Sequence, residues 1–218
     1  MAELVTIPIA VLEVAVDYLR PDFRLWMDRA SVVQSVFDAL KPWDPRIDDV
    51  DAVTTGRASE QGFTVKLPFK RVSFFFGPAS FKFSRENLNW QAANDTMAIL
   101  ETAVEALVRS SGVALGAWNT AVALHLQPKS LPFVELLRPF IAPQLAVLEA
   151  ESVVTIASVA KWDKRKVVID GSGVLANAIF LRLEREFPAN TTMPAMAAQI
   201  RQDQAELFRV LGVEEELA

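Results

Sequence analysis

The sequence contains no cysteine and a single histidine, His125, among its 218 residues. Without cysteine the chain cannot form disulfide bonds, iron–sulfur clusters, thiolate nucleophiles or cysteine-based zinc sites. One histidine also excludes metal sites that need two imidazole ligands from the same chain. We therefore expect no metal and no other cofactor. Apart from His125, an enzyme of this composition would depend on carboxylates, lysine, serine or tyrosine.

Glycine is also scarce, with eight residues in the chain. None of them forms the spaced set of a dinucleotide-binding fingerprint or a phosphate loop that ends in Gly-Lys-Ser/Thr. Ser172 lies between Gly171 and Gly173, but a nucleophile elbow needs glycine two residues before and two residues after its serine, with a helix following. Here a strand pattern follows, which predicts a hairpin turn.

Long apolar runs are missing as well. No run approaches the roughly 20 residues that a membrane-spanning helix requires. Glu3, Glu13 and Asp17 interrupt the first twenty residues, which lack the basic and apolar regions of a signal peptide. These features predict a cytoplasmic protein without a membrane partner.

Basic residues are fewer than acidic ones: the chain has 22 Lys+Arg and 27 Asp+Glu, and its pI is near 5.1. This balance argues against a nucleic-acid partner, since phosphate neutralisation supplies most of that affinity. Basic residues do group at Lys66, Lys70 and Arg71, a pattern typical of charged hairpin tips. The densest acidic cluster lies within residues 44–51 and lacks the glycine and terminal glutamate of a calcium loop, so it predicts a solvated loop.

Hydrophobic residues, by contrast, are abundant: they make up 51% of the chain, and the mean hydropathy is +0.23. Globular proteins usually contain about 45–50% by a similar count. Two interpretations stay open. Either the core is well filled, or apolar surface is left for a second copy, a partner protein or an apolar ligand to cover.

The hydrophobic periodicity predicts both strands and helices. Strands are predicted over residues 5–18, 50–55, 63–67, 71–76, 80–84, 113–126, 153–161, 166–170 and 175–186. Helices are predicted over about 22–40, 94–111 and 194–211, with a short one within 131–140. This order predicts an α+β protein with an antiparallel β-sheet and helices packed on one face. We expect residues 1–218 to form a single domain, with 128–150 as the only plausible subdomain boundary.

Several residues indicate local features of these elements. In the first helix, Trp26, Ala30, Val33, Phe37 and Leu40 are predicted to form the apolar stripe. Gly112 is placed to end the second helix, and Thr192 to cap the last one. Gly116 predicts a bulge or a close backbone contact in the long strand. The acidic run at 214–216 predicts a solvated helix end.

His125 lies near the end of the long predicted strand. One interpretation places it in an apolar cavity between sheet and helices, where Trp118, Asn119, His125 and Asn177 bind a small ligand. The other makes it a structural histidine that is hydrogen-bonded to a neighbouring group. The sequence places no serine or acid beside it, because the partners in a catalytic triad are neighbours in space.

The five tryptophans are many for a chain of this size. Trp43 and Trp90 lie beside turns or helix starts, and Trp162 lies in a tight turn beside basic residues. Because tryptophan is over-represented in binding hot spots, we expect Trp43, Trp90 and Trp162 to contact a partner.

These features favour a non-enzymatic protein that acts through protein–protein association, either as a homo-oligomer or with another protein. The alternative is a small protein that binds an apolar ligand in a pocket between sheet and helices. A hydrolase or isomerase that uses carboxylates or His125 is the third hypothesis, and the sequence names no substrate for it.

Overall fold

The computed structural model describes residues 2–23, 28–54, 56–58, 61–90, 93–138, 158–162 and 164–216. The described strands are β1 (Glu3–Tyr18), β2 (Val50–Val53), β3 (Gly62–Leu67), β4 (Val72–Phe76), β5 (Ser80–Glu86), β6 (Leu115–Pro128), β7 (Ser158–Trp162), β8 (Arg165–Gly171), β9 (Ile179–Phe187) and β10 (Val213–Glu215). The described helices are α1 (Arg29–Ala39), α2 (Ala93–Ser111), α3 (Phe133–Leu137) and α4 (Met193–Leu211).

The strands form a ten-stranded sheet in the order β2-β3-β4-β5-β1-β6-β9-β8-β7, with β10 added beside β1. Strands β2 to β5 are an antiparallel meander, and β7 to β9 are antiparallel as well. β10 instead pairs with β1 in parallel, with Glu3 opposite Val213. The predicted α+β fold with an antiparallel sheet is therefore confirmed.

The meander follows the alternation of apolar and polar residues closely. Along β3 and β4, Phe63, Phe74 and Phe76 are buried on one face. The rings of Phe63 and Phe76 stack with centroids 4.6 Å apart, and Phe74 lies beside Phe76 at 5.9 Å. Such large side chains dominate core energetics, so this aromatic cluster fixes which face of the meander is buried.

Helix α1 differs from the prediction in both its start and its buried face. It begins at Arg29, and the side chains it buries are Val32 and Val36, followed by Leu40. Ala30, Val33 and Phe37 are exposed or half-buried, so only Leu40 of the predicted stripe was right among the described residues. Two overlapping apolar stripes satisfy the helical spacing here, and packing against α2 selects the one that includes Val32. Trp26 lies outside the described residues.

The predicted helix ends are confirmed. Gly112 follows α2 with φ +73°, and its N–H donates to the Val108 carbonyl over 2.8 Å. Thr192 precedes α4, and its hydroxyl accepts from the Ala195 N–H at 3.4 Å. Glycine in the left-handed region and a threonine hydroxyl satisfy backbone groups that a helix end leaves unpaired.

Two predictions near the C-terminal part of the chain were wrong. β9 begins at Ile179 rather than at 175, because residues 172–178 form the connection from β8. The acidic run at 214–216 is not a helix end, since Val213–Glu215 form β10 and Glu216 forms an ion pair with Lys129.

Gly116 confirms the predicted close backbone contact. A Cβ atom at this position would lie 2.7 Å from the Asp17 carbonyl oxygen, a distance that real Cβ contacts essentially never reach. The side chain of any other residue would therefore push the backbones of β1 and β6 apart.

The chain divides into two compact units. Unit 1 comprises residues 1–11, 121–185 and 199–218, and unit 2 comprises residues 12–120 and 186–198. The predictions of a single domain over 1–218 and of a boundary near 128–150 stay predictions, and residues 139–157 lie outside the described part of the chain. None of the described helices has the length and apolar character needed to cross a bilayer.

Candidate functional site

His125 lies on β6 in unit 1 and is half-buried. Its Nδ1 atom is 2.8 Å from the Ser172 hydroxyl, and its ring centroid is 5.2 Å from that of Phe180. Burial lowers the pKa of His125 below its usual value of 6.5. The lowered pKa favours the neutral imidazole, and the ring tautomer decides whether Nδ1 or the serine hydroxyl donates in this hydrogen bond.

The hydroxyl of Ser172 organises the loop between β8 and β9. Its oxygen accepts hydrogen bonds from the Leu175 N–H at 3.0 Å and from the Val174 N–H at 3.3 Å. The same oxygen is 2.8 Å from His125 Nδ1, so the hydroxyl has three hydrogen-bond partners. These three contacts hold the turn. β8 and β9 are antiparallel neighbours, as a hairpin requires, but the connection runs over residues 172–178 and is longer than the predicted tight turn.

Asn177 holds the other end of the same loop. It has φ +49°, and its side-chain oxygen accepts a hydrogen bond from the Phe133 N–H at 2.9 Å, where α3 begins. The loop of residues 172–178 is thus attached to β6 through Ser172 and to α3 through Asn177.

Trp118 and Asn119 lie on the part of β6 that belongs to unit 2. Trp118 is 2% exposed, and its indole N–H donates to the Ala189 carbonyl oxygen at 3.3 Å. Asn119 points to the opposite side of the strand and is exposed. Among the four predicted ligand-binding residues, His125 and Asn177 meet one loop, whereas Trp118 is committed to a buried contact elsewhere. Their role in binding a ligand stays a prediction.

Trp43 belongs to a cluster in unit 2. It ends the 3₁₀ turn Lys41–Trp43, and its indole N–H donates to Asp95 Oδ1 at 3.1 Å in the first turn of α2. The other carboxylate oxygen of Asp95 accepts from Lys70 Nζ at 3.1 Å. Burial disfavours the charged carboxylate, but the hydrogen bonds from Trp43 and Lys70 and the nearby charges of Lys70 and Arg85 outweigh it. Together they hold the pKa of Asp95 below its usual value.

Two large apolar side chains close to these residues in the chain are exposed. Phe69, in the 3₁₀ turn Pro68–Lys70, is 74% exposed, and Ile47 is 72% exposed. The guanidinium of Arg46 lies over the Phe69 ring, 5.2 Å from its centroid. We call the surface formed by Trp43, Arg46, Ile47 and Phe69 the Phe69 patch.

Sequence reasoning identified Trp43 and missed the rest of the Phe69 patch. The signal was present, because Phe69 stands between Pro68 and Lys70 in a connection between two strands, where polar residues are usual. A large aromatic side chain in such a turn has no core to enter.

The other two tryptophans predicted to contact a partner give less information. Trp90 is half-buried and has an interaction partner within the protein. Trp162 ends β7, where its backbone pairs with Arg165, and its side chain lies outside the described residues. Their predicted contact with a partner stays a prediction.

A buried charge network in unit 1 also escaped sequence reasoning. Asp203 on α4 is 1% exposed and accepts from Arg165 at 3.1 Å and from Arg185 at 2.7 and 3.0 Å. Glu206 adds a second carboxylate to Arg165 at 2.8 Å, and Gln199 donates to Asp203 at 3.0 Å. These contacts attach α4 to β8 and β9.

Within the described ranges, no group of three or more histidine, cysteine, aspartate or glutamate side chains is arranged to hold a metal ion. Comparison with protein-family models and with curated protein sequences finds no match.

Proposed function

We propose that this protein acts by protein–protein association and that the Phe69 patch is the surface through which it binds. The observation that carries the proposal is the 74% exposure of Phe69, an aromatic side chain that lies under Arg46, the chain neighbour of the exposed Ile47. Aromatic residues and arginine are the side chains most enriched in interface hot spots.

The surroundings of the patch support this role. The Trp43 indole is fixed by Asp95, and Asp95 is in turn held by Lys70, the neighbour of Phe69 in the chain. Side chains that are already ordered lose little conformational entropy when a partner covers them. A fixed aromatic surface is therefore better suited to binding than the isolated exposed residues found on any protein.

Photo-crosslinking tests this proposal. Phe69 is replaced by p-benzoylphenylalanine in the cells that make the protein, and crosslinked peptides are identified by mass spectrometry. We expect adducts with a defined polypeptide, whose yield falls at least several-fold when Ile47→Asp is added. The matched control carries the same photo-reactive residue at Val174, which is 67% exposed in unit 1. Adducts at position 69 that are no more abundant or specific than those at position 174 would contradict the proposal.

A second candidate function, binding of a small apolar ligand, is favoured by the half-buried imidazole of His125 beside the Phe180 ring. An aromatic fragment that binds here should raise the melting temperature of the protein, and His125→Gln should abolish that shift. A shift that is the same in the variant would exclude His125 from the ligand site.

A further inference from the structure

We propose that β7 is a second interaction surface, which binds an extended, acidic segment of a partner protein as an added strand. This surface is separate from the Phe69 patch, because β7 lies in unit 1 and Phe69 in unit 2. Three observations carry the proposal: the position of β7 in the sheet, the exposure of its side chains, and the charges that the strand register places beside it.

β7 is an exposed edge strand. Among the described strands it comes last in the order, with β8 as its neighbour. In an antiparallel pair, every second residue directs its N–H and C=O away from the neighbouring strand, so an edge offers unpaired backbone groups to an extended chain. Val159 is 60% exposed, and Ala160 and Lys161, which point to opposite sides of the strand, are exposed as well. Both sides of β7 are therefore accessible to a partner.

The register of β7, β8 and β9 places Lys161, Lys166 and Glu184 in one row across the sheet. Side chains at directly opposite positions lie on the same face, where like charges repel each other. Glu184 is the acid of this row, but it lies beyond Lys166 and accepts from Lys166 at 3.1 Å and from Arg182 at 2.8 Å. The neighbour of Lys161 on β8 is thus a cation, and an acid on an added strand would be its neighbour on the other side.

The next row on the same face is apolar at the edge of the sheet. Val159 lies opposite Val168, and Val168 lies opposite Arg182. Because residues two positions apart on a strand share a face, Val159 and Lys161 point the same way. The added strand should therefore carry an acidic residue opposite Lys161 and an apolar residue opposite Val159. Main-chain hydrogen bonds supply the affinity in this mode of binding, and alternate side chains supply the specificity.

Lys161 also disfavours a second copy of the chain as the occupant. Two copies of β7 that pair antiparallel about Ala160 place Lys161 of each copy opposite Val159 of the other, so the lysine meets no acid. Lysine on an edge strand is a common device against the pairing of identical edges. Charge complementarity therefore favours a different, acidic partner.

Two fluorescein-labelled synthetic peptides test the proposal on the full chain by fluorescence anisotropy. The acidic peptide, Gly-Thr-Thr-Glu-Thr-Val-Thr-Thr, has its glutamate and valine spaced to lie opposite Lys161 and Val159 in an antiparallel strand. The basic peptide has lysine in place of glutamate. We expect the unmodified chain to bind the acidic peptide roughly tenfold more tightly than the basic one. Lys161→Glu should reverse this preference, because it changes the sign of the charge at the paired position.

Lys164→Glu is the matched control. It makes the same change in net charge at an exposed lysine in the turn between β7 and β8. In about 0.15 M salt, which screens charges that are not in contact, this variant should change the preference by no more than about twofold. Lys161→Gln is the second variant at the site and should bind the two peptides about equally. Far-UV circular dichroism verifies that each variant is folded.

Hydrogen exchange read by NMR distinguishes an added strand from loose attraction between charges. The bound acidic peptide should slow exchange at alternate amides within residues 158–162, which are the amides that point away from β8. No binding at about 1 mM acidic peptide would overturn the proposal. So would a preference that Lys161→Glu does not reverse, or binding without slowed exchange in β7. Slowed exchange that appears without peptide as the chain concentration rises would assign this edge to a second copy and would overturn the proposal as well.

Discussion

The indole N–H of Trp43 donates to the carboxylate of Asp95 at 3.1 Å, a contact between residues 52 positions apart. It joins the turn after α1 to the first turn of α2. An aspartate in the first turn of a helix also interacts favourably with the helix dipole. Asp95 thus stabilises a helix start while it orders the aromatic ring beside the Phe69 patch.

Asp95→Ala should lower the free energy of unfolding by about 1–2 kcal/mol, because it removes hydrogen bonds from Trp43 and Lys70 to a charged group. We place the value at this level because the Asp95 side chain is 37% exposed, so solvent screens the interaction. Urea denaturation measures the change. The control is Asp51→Ala, which breaks an exposed pair with Lys66 and should cost no more than about 0.5 kcal/mol. Equal losses in the two variants would contradict the role of Asp95.

His125 should make the protein less stable as the pH falls below 7. Burial lowers its pKa in the folded state, whereas the unfolded chain binds a proton near pH 6.5. Between these two values the unfolded state binds more protons, so the free energy of unfolding decreases as the pH falls through this window. Urea midpoints between pH 7.5 and 5.5 should fall less steeply in His125→Gln than in the unmodified chain.

Proton NMR measures the same property directly, because His125 is the only histidine in the sequence. Its ring signals need no assignment by mutation. A pKa at or above 6.5 in the folded protein would refute the predicted pH dependence.

Asp203→Ala should be severely destabilising, by about 3–5 kcal/mol, since it leaves buried arginine charge without its partner. Arg165 and Arg185 are 9% and 16% exposed, so water compensates for little of this loss. Glu206→Ala, which removes a carboxylate that is 33% exposed, should cost about 1 kcal/mol. Urea denaturation again measures both changes. If Asp203→Ala does not fold, Asp203→Asn keeps the shape of the side chain and should lower the free energy of unfolding by a smaller amount. A decrease below about 1 kcal/mol in either Asp203 variant would show that the network contributes little to stability.

Gly116→Ala should destabilise the protein by about 1–3 kcal/mol, the usual cost of forcing extra atoms into a packed site. The added Cβ would meet the Asp17 carbonyl oxygen at 2.7 Å. Gly173→Ala is the matched control, because nothing lies within 4 Å of a Cβ there, and it should change stability by less than about 0.5 kcal/mol. Thermal unfolding of the two variants side by side tests the contrast, and similar melting temperatures would contradict it.

The candidate site was accessible to sequence reasoning only in part. Trp43 and His125 could be singled out because their residue types are rare in this chain and chemically distinctive. Their partners, Asp95 and Ser172, lie 52 and 47 positions away, and no local pattern connects them. Phe69 was missed because its exposure depends on how the meander places the turn that carries it.

The sequence by itself determined the elements whose causes are local: the strands of the meander, the end of α2 at Gly112, the cap of α4 at Thr192 and the close contact at Gly116. The alternation of apolar and polar residues, the backbone conformation of glycine and the side-chain caps each act over a few neighbouring residues. Their causes can therefore be read from the sequence alone. Only the tertiary structure decided which stripe of α1 is buried, that 213–215 form a strand on β1, and that Asp203 meets two arginines. These features depend on contacts between segments that are far apart in the chain. Which side chains are buried, and which charges pair, is decided only when those segments pack together.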